Sequence, residues 1–92
     1  MKIVINRCQG GFRLSEMAYD YLGIKWDGYG FEFSDDDKRA DKRLVEAVEK
    51  LGELANGYYS ELSVVEIPDG VEYEIDEYDG FETIHEKHRS WP

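Results

Sequence analysis

Residues 62–76 read Leu62-Ser63-Val64-Val65-Glu66-Ile67-Pro68-Asp69-Gly70-Val71-Glu72-Tyr73-Glu74-Ile75-Asp76. Two β-branched runs on either side of Pro-Asp-Gly predict a strand, a turn and a second strand. In the second run Val71, Tyr73 and Ile75 alternate with Glu72, Glu74 and Asp76. That period of two gives one face for burial and leaves an acidic ladder in water. The row of like charges also protects an edge against aggregation.

Upstream of this unit, Leu44, Val48, Leu51 and Ala55 recur at helical spacing, with Val45 and Leu54 widening the stripe. Asp41 is the expected N-cap and Asn56-Gly57 the stop, although the helix could begin several residues earlier. Lys2-Ile3-Val4-Ile5-Asn6 predicts a strand that is central or covered on both faces. After Gly10-Gly11, residues 15–23 predict a helix with Ser15 as N-cap, Glu16 in its first turn, Leu14 stapled onto Tyr19 and Gly23 as terminator. Residues 24–37 turn at Asp27-Gly28 and then alternate Tyr29, Phe31 and Phe33, which fits a short strand or an ordered aromatic loop. Downstream of Tyr78-Asp79-Gly80, the spacing of Phe81, Ile84 and His88 (or His85) predicts a short terminal helix, with Trp91 docking the tail on the domain or on a neighbouring subunit.

The resulting fold class is α+β in the order β-α-(β)-α-β-β-α. Two main helices and the short C-terminal helix would pack on one face of a small mixed or antiparallel sheet. The expected core comprises Ile3, Ile5, Met17, Leu22, Leu44, Val48, Leu51, Val64, Ile67, Val71, Tyr73 and Ile75. At 92 residues the chain accommodates one domain. With 13 aromatics against so small a core, some of Trp26, Tyr29, Phe31, Phe33, Tyr58 and Tyr59 are left over, predicting a self-association surface and a homo-oligomer. No apolar run is long enough to span a membrane, and the N-terminal stretch lacks the pattern of a signal peptide, so a cytoplasmic protein is expected. The single Cys8 forms no internal disulfide.

The net charge of −10 is unevenly spread. Residues 1–43 hold eight acids and eight bases, whereas residues 44–86 hold thirteen acids against Lys50 alone. The acidic part repels phosphates and disfavours non-specific nucleic-acid binding. The neutral first half leaves room for a discrete anion pocket. There Asn6-Arg7-Cys8-Gln9-Gly10-Gly11-Phe12-Arg13-Leu14-Ser15 joins a strand to a helix start through two glycines. Backbone N–H groups at Gly10, Gly11 and Ser15, with Arg7 and Arg13, could hold a phosphate, and Phe12, Tyr29 or Trp26 could stack a ring. The bland reading is a tight connection, since neither GxGxxG nor GxxxxGK[ST] is present. Lys38, Arg39, Lys42 and Arg43 gather where the second helix starts and oppose its dipole, so they need acidic partners. Asp35, Asp36 and Asp37 or the acidic hairpin could supply these. Arg39 and Arg43 could otherwise reach an external phosphate.

Other chemistry is thinner. Cys8 with His85 or His88 lacks a nameable oxyanion site, and Glu82-x-x-His85 and His85-x-x-His88 are incomplete as metal motifs. Neither an enzyme activity nor a metal or cofactor is expected. Glu66, Asp69, Glu72, Glu74, Asp76, Glu77, Asp79 and Glu82 could instead imitate duplex phosphates and occupy the groove of a basic host protein.

With KIVIN-x-C-x-GGF-x-LS at 2–15, VEAVEKLGELANG at 45–57, VVEIPDGVEYEIDEYDG at 64–80 and HEKHRSW at 85–91, the chain resembles a family of small phage and prophage proteins. The resemblance implies an accessory factor that acts by binding, of the host-takeover or counter-defence kind. Together with the anion pocket, it gives the expectation of a protein that sequesters a small nucleotide-like signal.

Overall fold

The computed structural model describes residues 1–86. Strand β1, Lys2–Asn6, is followed by helix α1, Glu16–Leu22, a 3-10 turn at Asp36–Lys38 and helix α2, Lys42–Leu51. A second 3-10 turn, Gly52–Ala55, leads to strands β2, Leu62–Glu66, β3, Tyr73–Tyr78, and β4, Phe81–Glu86. The fold is α+β, with two antiparallel two-stranded sheets, β1–β2 and β3–β4, in place of a single sheet.

Both ends of α1 and the start of α2 follow their sequence signals, whereas α2 stops at Leu51 with Gly52 as its cap, and the 3-10 turn alone runs on to the expected stop at Asn56-Gly57. The Ser15 hydroxyl accepts the Ala18 N–H at 3.1 Å, and Gly23 closes α1. The Asp41 carboxylate accepts the Arg43 N–H at 2.8 Å at the start of α2. Leu44, Val45, Ala47 and Val48 of α2 are buried, and the helix packs on α1 and on β1–β2. Ile3, Val4, Ile5 and Asn6 are fully buried, so β1 is covered on both faces as expected. Phe12, Leu14, Ala18, Tyr19, Phe33 and Ala55 complete the core around Val4 and α2. Residues 24–35 hold no strand. Their aromatic alternation forms an ordered loop in which Trp26 packs on the core and Phe33 belongs to it.

Three expectations are corrected. The terminal helix is strand β4, because Asp79 (φ 53°) and Gly80 (φ 88°) both take the left-handed conformation that a two-residue hairpin turn of type I′ requires. The turn pairs Tyr78 with Phe81, and the register runs on to Tyr73 opposite Glu86. The sequence Phe81-Glu82-Thr83-Ile84-His85-Glu86 therefore takes a period of two. A Cβ on Gly80 would lie 2.2 Å from the Gln9 carbonyl oxygen, so the hairpin tip is seated directly on the loop after β1.

The second correction concerns pairing across Pro68-Asp69-Gly70. β2 and β3 do not pair with each other. β2 returns to β1, with Lys2 opposite Glu66 and Asn6 opposite Leu62, and β3 takes β4. The connection carries Pro68, which has no N–H for a ladder, and β3 begins only at Tyr73. Third, Met17 is 47 % exposed and lies outside the core. Ile67, Val71, Tyr73 and Ile75 are half-buried. Ile67, Val71 and Tyr73 line an apolar cleft of about 450 Å³ with Val65, Pro68 and Ile84. Helix α2 packs on β1–β2, while the hairpin meets the rest of the described domain chiefly through β4 against β1. The expectations for His88, Lys87, Arg89 and Trp91 lie outside the described residues.

Candidate ligand-binding site

The outer edge of β1 determines where the predicted arginines go. Odd-numbered residues of β1 face β2, which leaves the N–H and C=O groups of Val4 and the N–H of Asn6 pointing away from it. Three contacts close this edge. The Val4 N–H donates to the Arg39 carbonyl at 2.9 Å, Arg39 Nη1 donates to the Val4 carbonyl at 3.3 Å, and Glu82 Oε1 accepts the Asn6 N–H at 2.7 Å. Arg39 and Glu82 also grip each other through two bonds of 2.6 and 2.7 Å, with the guanidinium 3.9 Å above the Phe12 ring. Two further bonds to the Ser34 carbonyl use the remaining Arg39 donors. Arg39 and Phe12, both read from the sequence as ligand contacts, thus lie in the interior, and so does Glu82 of the acidic series. This is the acidic partner that the base cluster before α2 required. Arg43, for its part, chelates Asp41 at 3.1–3.2 Å and lies 5.3 Å from the Phe33 ring centroid. Its guanidinium holds the Asp41 carboxyl below the usual carboxylate range.

The glycine loop is packed on two sides. Gly80 sits against Gln9 and Gly11, and Gly10 lies so close to the backbone of Tyr59 that a Cβ would meet its carbonyl oxygen at 2.2 Å. The Ser15 hydroxyl is committed to Ala18 and, at 2.6 Å, to the Leu54 carbonyl. Arg7 is exposed with its guanidinium 4.7 Å from the Phe81 centroid. Glu82 and His85 occupy alternate faces of β4, as residues three apart on a strand must. His85 instead meets Asp76 at 2.9 Å. Among the described residues no group of three or more His, Cys, Asp or Glu is placed to hold a metal ion, and no helix is long and apolar enough to cross a membrane.

Of the predicted set, Ser15 lines a cleft formed around Leu14, and the half-buried Arg13 lies next to it in the chain without lining it. Three segments converge beside it on Leu14. The Leu14 N–H donates to the Gly30 carbonyl at 2.9 Å, while residues 13–15 and 55–57 run antiparallel, with Gly57 N–H donating to Arg13 and Ser15 N–H to Ala55, each at 2.9 Å. Leu14, Ser15, Glu16, Trp26, Tyr29, Asn56, Gly57 and Tyr58 enclose a cleft of about 250 Å³. Its aromatic walls are held in place. Trp26 meets the buried Tyr19 ring edge-on at 4.9 Å. Tyr29 stacks on Phe31 at 5.8 Å and 7°, and the Arg13 guanidinium lies 5.1 Å from the Phe31 centroid on its way out to solvent.

The loop carrying Tyr29 and Phe31 is wound around one carboxylate. Asp27 accepts the N–H groups of Gly30 at 2.6 Å, Tyr29 at 2.7 Å and Phe31 at 3.3 Å, and the Tyr19 hydroxyl donates to it at 2.8 Å. The Gly30 N–H and its neighbours pull the Asp27 carboxyl down to about 2. Burial, aided by Asp27, pushes the Tyr19 hydroxyl up to about 12. That hydroxyl accepts the Glu32 N–H at 2.8 Å, which fixes the far side of the loop.

Sequence reasoning named Trp26 and Tyr29 as stacking residues and missed Glu16, Asn56 and Tyr58. Asn56-Gly57 signals a helix stop and also turns Tyr58 toward Leu14, a second role that no local pattern announces. The acidic side chains have their own concavity of about 550 Å³, where Asp36 and Asp37 join Glu72 and Glu74 beside Val71, Tyr73 and Ile75. Comparison of the chain with protein-family models, with curated proteins and with solved structures finds no match.

Proposed function

We propose that this chain is a binding protein for a small, anionic, nucleotide-like ligand, taken up with its ring in the cleft at Leu14 and its phosphate toward Arg13. The observation that carries the reading is an aromatic cleft whose lining Tyr29 stacks on Phe31, which in turn carries the Arg13 guanidinium over its ring. A cleft of about 250 Å³ is smaller than the usual ~300–1,000 Å³ of a whole-ligand pocket, which suits one planar ring with the rest of the ligand outside. Each aromatic face on which a base stacks is worth ~1–3 kcal/mol, and the Asp27-centred loop presents those faces already ordered. The resemblance to small phage proteins suggests the setting: sequestration of a nucleotide signal of a host defence pathway, in the host cytoplasm. Tyr58, Tyr59 and Tyr78 are each more than three-quarters exposed and favour self-association into a homo-oligomer.

Isothermal titration with linear and cyclic nucleotides tests the ligand. Binding is expected in the wild type and is expected to fall at least tenfold in Arg13→Ala and in Tyr29→Ala. If no nucleotide binds the wild type, the reading is wrong.

A second reading is favoured by the meeting of Asp36 and Asp37 with Glu72 and Glu74. These carboxylates come from two separate segments and form one acidic surface that would fit a basic host protein in place of nucleic acid. A pull-down from host lysate, repeated between about 50 and 500 mM salt, separates the two readings, because charge-paired association weakens as screening rises.

A further inference from the structure

The aromatic cleft contains two polar groups that its own architecture leaves unused. Asn56 Oδ1 accepts the Leu62 N–H at 2.8 Å, which fixes the orientation of the amide. Its Nδ2 hydrogens have no partner among the described residues. The Glu16 carboxylate lines the same cleft, is exposed, and has neither a hydrogen bond nor an ion pair among the described residues. The cleft therefore has stacking walls, two free acceptor oxygens on one side chain and a free donor pair on another.

We infer that the cleft selects guanine among the common bases, with the Glu16 carboxylate and the Asn56 amide reading the hydrogen-bonding edge of the ring. The inference rests on the nucleotide reading above and adds the identity of the base. Guanine presents two adjacent donors, N1–H and the N2 amino group, next to an acceptor, O6. A carboxylate takes both donors at once, and an amide N–H reaches O6. Adenine presents one donor beside the acceptor N1, so a two-oxygen anion facing it leaves one oxygen unsatisfied against a lone pair. Cytosine has the same mismatch, one donor beside the acceptor N3. Uracil offers a single N–H flanked by two acceptors. Hydrogen bonds to a charged group are the stronger class, and guanine makes two of them where the other bases make one, so discrimination of about tenfold is expected.

Polarity along the cleft agrees with this orientation. A carboxylate repels a phosphate, so the Glu16 end must take the uncharged ring edge, and the phosphate must lie toward Arg13. Three peptide units hold the Cα atoms of Arg13 and Glu16 within about 11 Å of each other, so one small ligand can meet both side chains. Tyr29 and Trp26 supply the faces between them.

Titration of the wild type and of Glu16→Gln with GMP, IMP, AMP, CMP and UMP tests the inference. Trp26 and Trp91 fluorescence and calorimetry provide independent readouts. GMP is expected to bind at least tenfold more tightly than AMP, CMP or UMP. IMP, which keeps N1–H and O6 but lacks the N2 amino group, is expected to fall about tenfold below GMP. Glu16→Gln, at an exposed position, should leave the melting temperature in place and remove the preference for GMP over AMP. If all five bind the wild type with equal affinity, or if Glu16→Gln keeps the preference for GMP, the guanine assignment is wrong while the anionic-ligand reading stands. If none binds the wild type, both are wrong.

Discussion

Arg39 and Glu82, 43 residues apart, meet as a two-bonded pair whose side chains are only 3 % and 6 % exposed, and together they occupy the edge of β1 where another strand would otherwise pair. Each member hydrogen-bonds the backbone of β1 as well as the other side chain. The fold has two small sheets for this reason: β4 brings Glu82 to β1 as a side chain, and the ladder groups it would need for strand pairing are already closed. A buried ion pair is seldom a net source of stability when compared with an apolar pair of the same shape, but removing one member strands the other.

Arg39→Ala and Glu82→Ala are therefore expected to lose about 3–5 kcal/mol each, a large share of a total on the order of 10 kcal/mol for a domain of this size. Urea denaturation measures the loss. Because either change also opens the β1 edge, both variants should form soluble aggregates on gel filtration at concentrations where the wild type does not. A loss below about 1 kcal/mol would show that the pair does not seal the edge.

Gly80→Ala and Gly70→Ala separate backbone strain from collision. Both glycines have φ above +80°, where an alanine costs roughly 1–2 kcal/mol. A Cβ at Gly70 meets nothing within 4 Å, whereas one at Gly80 strikes the Gln9 carbonyl and the Gly11 nitrogen. Thermal melting should place Gly80→Ala clearly below Gly70→Ala. Equal melting temperatures would mean that the hairpin tip is not seated on the loop after β1.

Asp27 gives the protein an acid-sensitive element. Its carboxyl titrates at about 2 in the folded chain, held down first by the Gly30 N–H, against about 3.9 in an unfolded one. Between those values the unfolded state binds more protons, so stability from this group is complete above about pH 5 and is lost as pH falls toward 2. The stability difference between the wild type and Asp27→Asn, followed by denaturation at several pH values, should shrink across that window. A difference that stays constant would remove the ionised carboxylate from the account.

Tyr19→Phe keeps the ring against Trp26 and deletes the hydroxyl shared by Asp27 and Glu32. A loss of about 1–2 kcal/mol is expected, together with a changed Trp26 emission and weaker nucleotide binding as the loop loosens. In the wild type, the raised Tyr19 value makes its contribution complete below about pH 10 and progressively lost as pH rises toward 12. Spectrophotometric titration should find Tyr19 ionising at higher pH in the wild type than in the urea-unfolded chain, and Tyr21, whose hydroxyl donates to Glu46, shifted in the same direction.

Elements bounded by local cap residues were legible in the sequence. Ser15, Gly23 and Asp41 act within a turn of their own positions, and both helices start or stop where these residues stand. Strand partners were not legible. Pairing of β1 with β2 is settled by which backbone groups other segments have already satisfied, and no window of neighbouring residues contains that information. The apolar spacing of Phe81 and Ile84 spoke for a helix, and the Asp79-Gly80 dipeptide, with its two left-handed residues, decided for a strand over Phe81–Glu86. That Arg39 needs an acidic partner was legible, but not which one, because Glu82 lies in β4 and the stacking ring in the loop after β1. Of the expected ligand set, Arg13 remained with its stacked aromatics, while the cleft beside it depends on Asn56 and Glu16, whose local patterns speak only of helix ends.

The pairing of β1 with β2 joins segments about sixty residues apart in the chain, and translation delivers them in that order. At ~5–20 residues per second, an apolar Ile-Val-Ile strand emerges from the ribosome some 3–12 s before its partner exists, and Glu82, which closes its other edge, emerges later still. During that interval both edges of the strand are open to any extended polypeptide nearby. Two nascent chains of this protein translated side by side could exchange β1 before either completes its own ladder, and the chance of exchange would be set by the pace of synthesis as well as by final stability.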